Sequence, residues 1–201
     1  MVSYMPSTTA LVGVPDLQAA TRGEITLWNP GPAAEPVVRL VGFRQIEIMG
    51  PAAPAGGPPV VHLVEGRAAD ELLIGATGAA RAALHGGAGN DTLIGTAGND
   101  RLGGGSGIDV LWGGSGADTF LVSPQLDRLL EGHSPPAPDV DWIMDFQRGL
   151  DRLEARPGDA ITVTDMGYWT AIEVTSGGFS KFVGLWGVTG ASVGELFGWG
   201  G

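Results

Sequence analysis

The chain has 201 residues, of which 35 are glycine and 14 proline, yet 43% are apolar. That excludes a simple solvated tail and long helices over most of the length, and favours a loop-rich β fold of one domain or two small ones. Eleven basic residues against 22 acidic give a net charge of −11, which argues against nucleic acid or an anionic membrane as a partner and makes cations the natural one.

With no cysteine, disulfides, thiolate metal sites and cysteine nucleophiles are excluded. No apolar run reaches the length of a membrane span. The first 17 residues lack a basic stretch followed by an apolar one, so a cleavable secretory signal is not expected.

In chain order, residues 1–21 read as a loosely held arm. Short β-like runs follow at Glu24 to Trp28, Val37 to Phe43 and Gln45 to Met49, the last with the alternation of a half-buried strand. The proline- and glycine-rich stretch 51–59 reads as a linker, and Val60 to Val64 as another strand. From Gly86 the chain reads GGAGNDTLI, GTAGNDRLG, GGSGIDVLW, GGSGADTFL, four nine-residue units without a gap. The sixth position is always aspartate (Asp91, Asp100, Asp109, Asp118) and the eighth a large apolar residue (Leu93, Leu102, Leu111, Phe120). Upstream, 66–75 is a worn unit whose acid is Asp70 or Glu71, and 75–84 another, longer and without a carboxylate. Downstream come a proline-rich loop over 124–138 with a helical turn at 125–131, then alternating β runs and glycine turns.

Six turn residues and three strand residues per unit reverse the chain once, so two units complete one coil of a flattened roll. Asp91 then stacks on Asp109, and Asp100 on Asp118 on the opposite side. Coils lie about 4.8 Å apart and calcium–oxygen bonds are about 2.4 Å, so a cation fits between stacked loops. Aspartates supply charge. Gly87, Gly89, Gly98, Gly105, Gly107, Gly114 and Gly116 free the loop carbonyls to turn toward the ion. Two Ca²⁺ ions are expected, one between the 86–91 and 104–109 loops and one between 95–100 and 113–118, with four or more if neighbouring acids join. Without the ion, stacked carboxylates repel, so metal binding should drive folding of this segment.

The nonapeptide resembles the RTX calcium-binding β-roll repeat, with Thr96 replacing one glycine. Gly116 to Phe120, with Asp141 to Phe146 and Leu150 to Leu153, resembles the C-terminal domain of serralysin-type secreted proteases. That resemblance implies a roll capped by a β-sandwich, type I export through an uncleaved C-terminal signal, an extracellular location, and a further calcium site closed by Asp141 and Asp145.

The expected architecture is all-β: an N-terminal β segment of unknown role (1–64), a parallel β-roll (65–122) and a sandwich-like cap (123–201), with most tryptophans in the sandwich core or capping the roll and Trp199, in the glycine tail, exposed. No HExxH is present, and His62, His85 and His133 are scattered, so no catalytic constellation is predicted. The expected role is a non-catalytic surface or matrix module whose partners are calcium, a type I secretion apparatus and a surface polysaccharide or protein. The alternative is an accessory domain of a secreted protease or polysaccharide-modifying enzyme, since such rolls also accompany alginate-modifying enzymes.

Overall fold

The computed structural model describes residues 70–75, 81–124 and 139–199, together with the backbone of strands at 24–28, 37–41, 45–47 and 61–65. The arm over 1–21, the 51–59 linker and the helical turn at 125–131 lie outside the described residues. The strands are β1 (Glu24–Trp28), β2 (Val37–Val41), β3 (Gln45–Glu47), β4 (Val61–Glu65), β5 (Leu72–Ile74), β6 (Arg81–Ala88), β7 (Thr92–Thr96) and β8 (Arg101–Ser106). They continue with β9 (Ile108–Gly114), β10 (Thr119–Leu121), β11 (Val140–Ile143), β12 (Arg152–Glu154), β13 (Ala160–Asp165), β14 (Trp169–Ser176) and β15 (Phe179–Trp186). A single described helix, α1 (Val193–Phe197), starts on the side chain of Ser192 and ends at Gly198 in the left-handed conformation.

From β2 to β12 the strands alternate between two sheets, as a flattened roll requires. One sheet runs β1-β2-β4-β6-β8-β10-β12 and the other β13-β14-β15-β11-β9-β7-β5-β3. Among the described strands every pairing from β2 to β12 is parallel, and the β1–β2 and β13–β14–β15 contacts are antiparallel. Equivalent residues of successive coils in the repeat region are 18 apart; the coil before it takes 20, matching the lengthened unit at 75–84. Neither sheet breaks at the boundaries expected after residues 64 and 122. β4 pairs with β6 as the next coil of the same sheet, and β11 pairs with β9. The ladders also reach into the turns, where Gly87 pairs with Gly105.

The eighth positions of the repeats build the core. Leu84, Leu102, Phe120 and Leu153 stand in register across one sheet, and Leu73, Leu93, Leu111, Ile143 and Leu185 across the other. All nine are buried. The interior of a flattened roll is one side chain deep on each sheet, which suits leucine and leaves little room for indole. The tryptophans accordingly depart from expectation: no described one joins the buried core. Trp199 is exposed, as its glycine-rich surroundings imply, but so are Trp112 and Trp186, while Trp142 packs on Trp169 at 5.2 Å and covers Gly184 on the outer face. His85 is buried within β6.

Candidate metal centre

The turns joining the two sheets place the sixth-position acids in two ladders. On one side the Glu71 N–H donates to Asp91 Oδ1 (2.8 Å), and the Asp91 N–H to Asp109 Oδ1 (2.8 Å). Asp109 stands in register with Asp141 on β11. On the other side the Ala82 N–H donates to Asp100 Oδ1, Asp100 N–H to Asp118 Oδ1 (2.8 Å) and Asp118 N–H to Asp151 Oδ1 (2.9 Å). The stacking expected from the nine-residue period is therefore present, and one carboxylate oxygen of each rung is spent on the coil below. Asp70 lies off the ladder. It is exposed and accepts from the Asn90 N–H (2.8 Å), whereas Glu71 is buried and in line.

The second oxygen of each acid folds back over its own loop. A side chain on Gly86, Gly104 or Gly113 would collide with Oδ2 of Asp91, Asp109 or Asp118 respectively; at Gly86 it would also meet the Gly104 carbonyl. The first glycine of each unit is therefore required for space. The second and fourth are required for backbone angle: Gly87, Gly89, Gly105, Gly107, Gly114 and Gly116 all have positive φ, between 94° and 145°. Asp109 Oδ2 and Asp118 Oδ2 are buried and receive no N–H or hydroxyl donor. Burial pushes both carboxyls up to about 7. The adjoining acids Asp151, Asp100 and Asp145 add to this at Asp118, and the Lys181 ammonium opposes it at Asp109.

The 95–100 loop departs from its neighbours. Thr96 occupies the second-glycine position, its N–H and hydroxyl both bond to Asp100, and the Gly98 N–H donates to Thr96 Oγ1 (3.0 Å). Gly98 does not adopt positive φ, unlike Gly89, Gly107 and Gly116. In this unit a hydroxyl partly supplies what a cation would supply elsewhere.

Beyond the four units the acids are engaged differently. Both oxygens of Asp145 accept turn N–H groups, from Gly113 (2.9 Å) and Gly114 (2.8 Å). Asp151 accepts a second bond from the Gln147 N–H (2.8 Å). Asp141 Oδ2 lies 3.1 Å from the Lys181 ammonium, and Asp139 Oδ1 lies 2.9 Å from it. Burial raises both of these carboxyls and the lysine opposes the rise. An exposed two-bond ion pair, Arg148 with Glu195 (2.7 and 2.8 Å), ties α1 to the loop that carries Asp151.

Among the described residues no group of three or more His, Cys, Asp or Glu side chains forms a metal cluster, so a cation here must combine carboxylates with loop carbonyls. Buried, donor-less carboxylate oxygens beside glycine loops meet that requirement and select a hard, oxygen-ligated divalent ion. Asp91 with Asp109, and Asp100 with Asp118, would hold it together with the carbonyls of their loops. The ion would supply the positive charge that neutralises each pair of rungs.

The fold and this site define a parallel β-roll with cation-binding turns between its coils. Residues 85–120 match the family of the RTX calcium-binding nonapeptide repeat in four copies, and the chain thus carries a calcium-binding RTX β-roll. Among solved structures it is similar to the R2 subunit of the mannuronan C5-epimerase AlgE6 from Azotobacter vinelandii. The identity is 29% over 70% of this chain and 91% of that one, with a TM-score of 0.44. The R3 subunit of the same enzyme is 26% identical over 75% and 92%, with a TM-score of 0.34. Comparison with curated proteins gives no match.

Sequence reasoning missed Asp151, Asp139 and Lys181 as site residues, and read Thr96 only as a replaced glycine, not as a partner of Asp100. Asp151 was findable, because Asp151-Arg152-Leu153 repeats the acid–any–apolar pattern of the units, as do Glu71-Leu72-Leu73 and Asp141-Trp142-Ile143. Lys181 carries a weaker signal, as a lysine at an inward position of an otherwise alternating strand.

Proposed function

We propose that this chain is an extracellular interaction module whose roll orders on calcium outside the cell and which carries no catalysis of its own. The observation that supports it most is the pair of buried oxygens, Asp109 Oδ2 and Asp118 Oδ2, that no donor reaches. Such groups favour a loosely held chain where calcium is scarce and a packed one where it is abundant. Export by a type I route follows the resemblance of the segments around 116–120 and 141–153 to secreted serralysin-type proteins.

A second reading, an accessory module that brings a secreted enzyme to its polysaccharide or protein target, draws on the outer face of the larger sheet. There Phe182, Val140 and Ile108 stand in one row, and Trp112 stands beside Ile94. Phe182, Ile108, Trp112, Ile94 and Trp186 are exposed on it, an apolar strip of the kind that marks binding surfaces. Retention on immobilised polysaccharides and secreted proteins, with calcium and with chelator, tests both readings. Calcium-dependent retention lost in Trp112→Ser with Phe182→Ser supports a binding module. Substrate turnover by the chain alone would refute the non-catalytic reading.

A further inference from the structure

We propose that Lys181 is a built-in cation standing where the next inter-coil ion of the ladder would lie, so that this end of the roll is closed without calcium. The inference rests on the calcium-ladder reading above and fixes where the ladder stops. Asp141 occupies the rung after Asp109, one coil further along. In a repeating ladder the space between the 104–109 loop and the segment bearing Asp141 is the next cation position. The structure fills it with an ammonium group.

Lys181 Nζ lies 2.9 Å from Asp139 Oδ1 and 3.1 Å from Asp141 Oδ2, and it donates to the Gly105 carbonyl. Two carboxylates and a glycine carbonyl from a loop with positive φ are the donor set expected of a hard cation. The Gly105 carbonyl accepts one N–H of the ammonium, and the two buried carboxylates face it as ion partners. Lys181 is 0% exposed, a burial that lysine tolerates only when fully paired. A calcium ion brought to the same acceptors would meet a positive charge at contact distance.

The strand that delivers the lysine belongs to the C-terminal half. β15 lies parallel to β11, with the Phe182 N–H bonded to the Asp139 carbonyl (2.9 Å). Docking of this strand neutralises the last rung, so ordering of the β13–β15 meander and of the roll's end are one event. This device also limits the ion count on the Asp91–Asp109 side.

The test is the calcium stoichiometry of the full chain by native mass spectrometry and titration calorimetry, for wild type, Lys181→Ala and Asp141→Asn. Lys181→Ala should bind one more ion per chain than wild type, with a lower melting temperature in chelator that calcium restores. Asp141→Asn should leave the wild-type count unchanged. A folded Lys181→Ala with no extra ion, or loss of one ion in Asp141→Asn, would overturn the proposal. If Lys181→Ala does not fold even in calcium, the Asp141→Asn count decides alone. A wild type that takes up no calcium is a distinct outcome: it removes the ladder reading itself, and the proposal with it.

Discussion

Calcium-free protein should be more stable at pH 4.5 than at pH 8, the reverse of the calcium-loaded form. Asp109 and Asp118 are displaced from 3.8 to about 7 in the folded chain. A carboxyl raised on folding binds its proton more tightly in the native state than in the unfolded one. Its stabilising contribution is complete below about pH 3.8 and is lost as pH rises through about 7. A displacement of this size at a single carboxyl is on the order of a few kcal/mol, a sizeable part of the stability of an ordinary domain, on the order of 5–15 kcal/mol. Asp100, Asp139, Asp141 and Asp151 are shifted in the same direction, and self-repulsion of a chain with net charge −11 adds to the trend. With calcium present the sign inverts, because the ion requires the deprotonated acids. The assay is thermal unfolding followed by circular dichroism from pH 4 to 8, on calcium-stripped and calcium-saturated protein. A calcium-free melting temperature that is flat or rises across pH 4 to 7 would refute the reasoning.

Substituting Asp118→Asn removes the charge but keeps the shape; at pH 8 it should raise the melting temperature in chelator and lower it in calcium, read by paired thermal scans. Gly86→Ala should cost about 1–3 kcal/mol of calcium-bound stability, because its new methyl meets Asp91 Oδ2 and the Gly104 carbonyl; denaturant titration in calcium measures this. Thr96→Gly should lower calcium-free stability by about 1 kcal/mol through the lost hydroxyl bonds to Asp100, while tightening calcium binding in calorimetry. Leu102→Ala, in the middle of a fully buried ladder, should cost about 2–5 kcal/mol with no change in the number of ions bound.

The roll and its two acid ladders were legible because strict nine-residue periodicity fixes parity and coil length together. The period alone pairs Asp91 with Asp109 and Asp100 with Asp118. Legibility failed where the period is interrupted. β2 and β4 belong to the same parallel sheet as the repeats, yet longer coils hide this from a period search. Asp141 was visible, but its partner Lys181 arrives from 40 residues further along the chain, and no local spacing rule connects such residues. The tryptophans misled because indole size suggests a core, whereas strand parity places Trp112 and Trp186 outward.

The most direct test of the central claim is a calcium titration of the stripped full chain, followed by far-ultraviolet circular dichroism, for wild type beside the double substitution of Asp109 and Asp118 to asparagine. The account predicts that wild type at pH 8 gains β structure cooperatively as calcium is added. The double variant should need no calcium to fold and should show little further change. Wild-type protein with full β structure in chelator, unaltered by calcium, would contradict it.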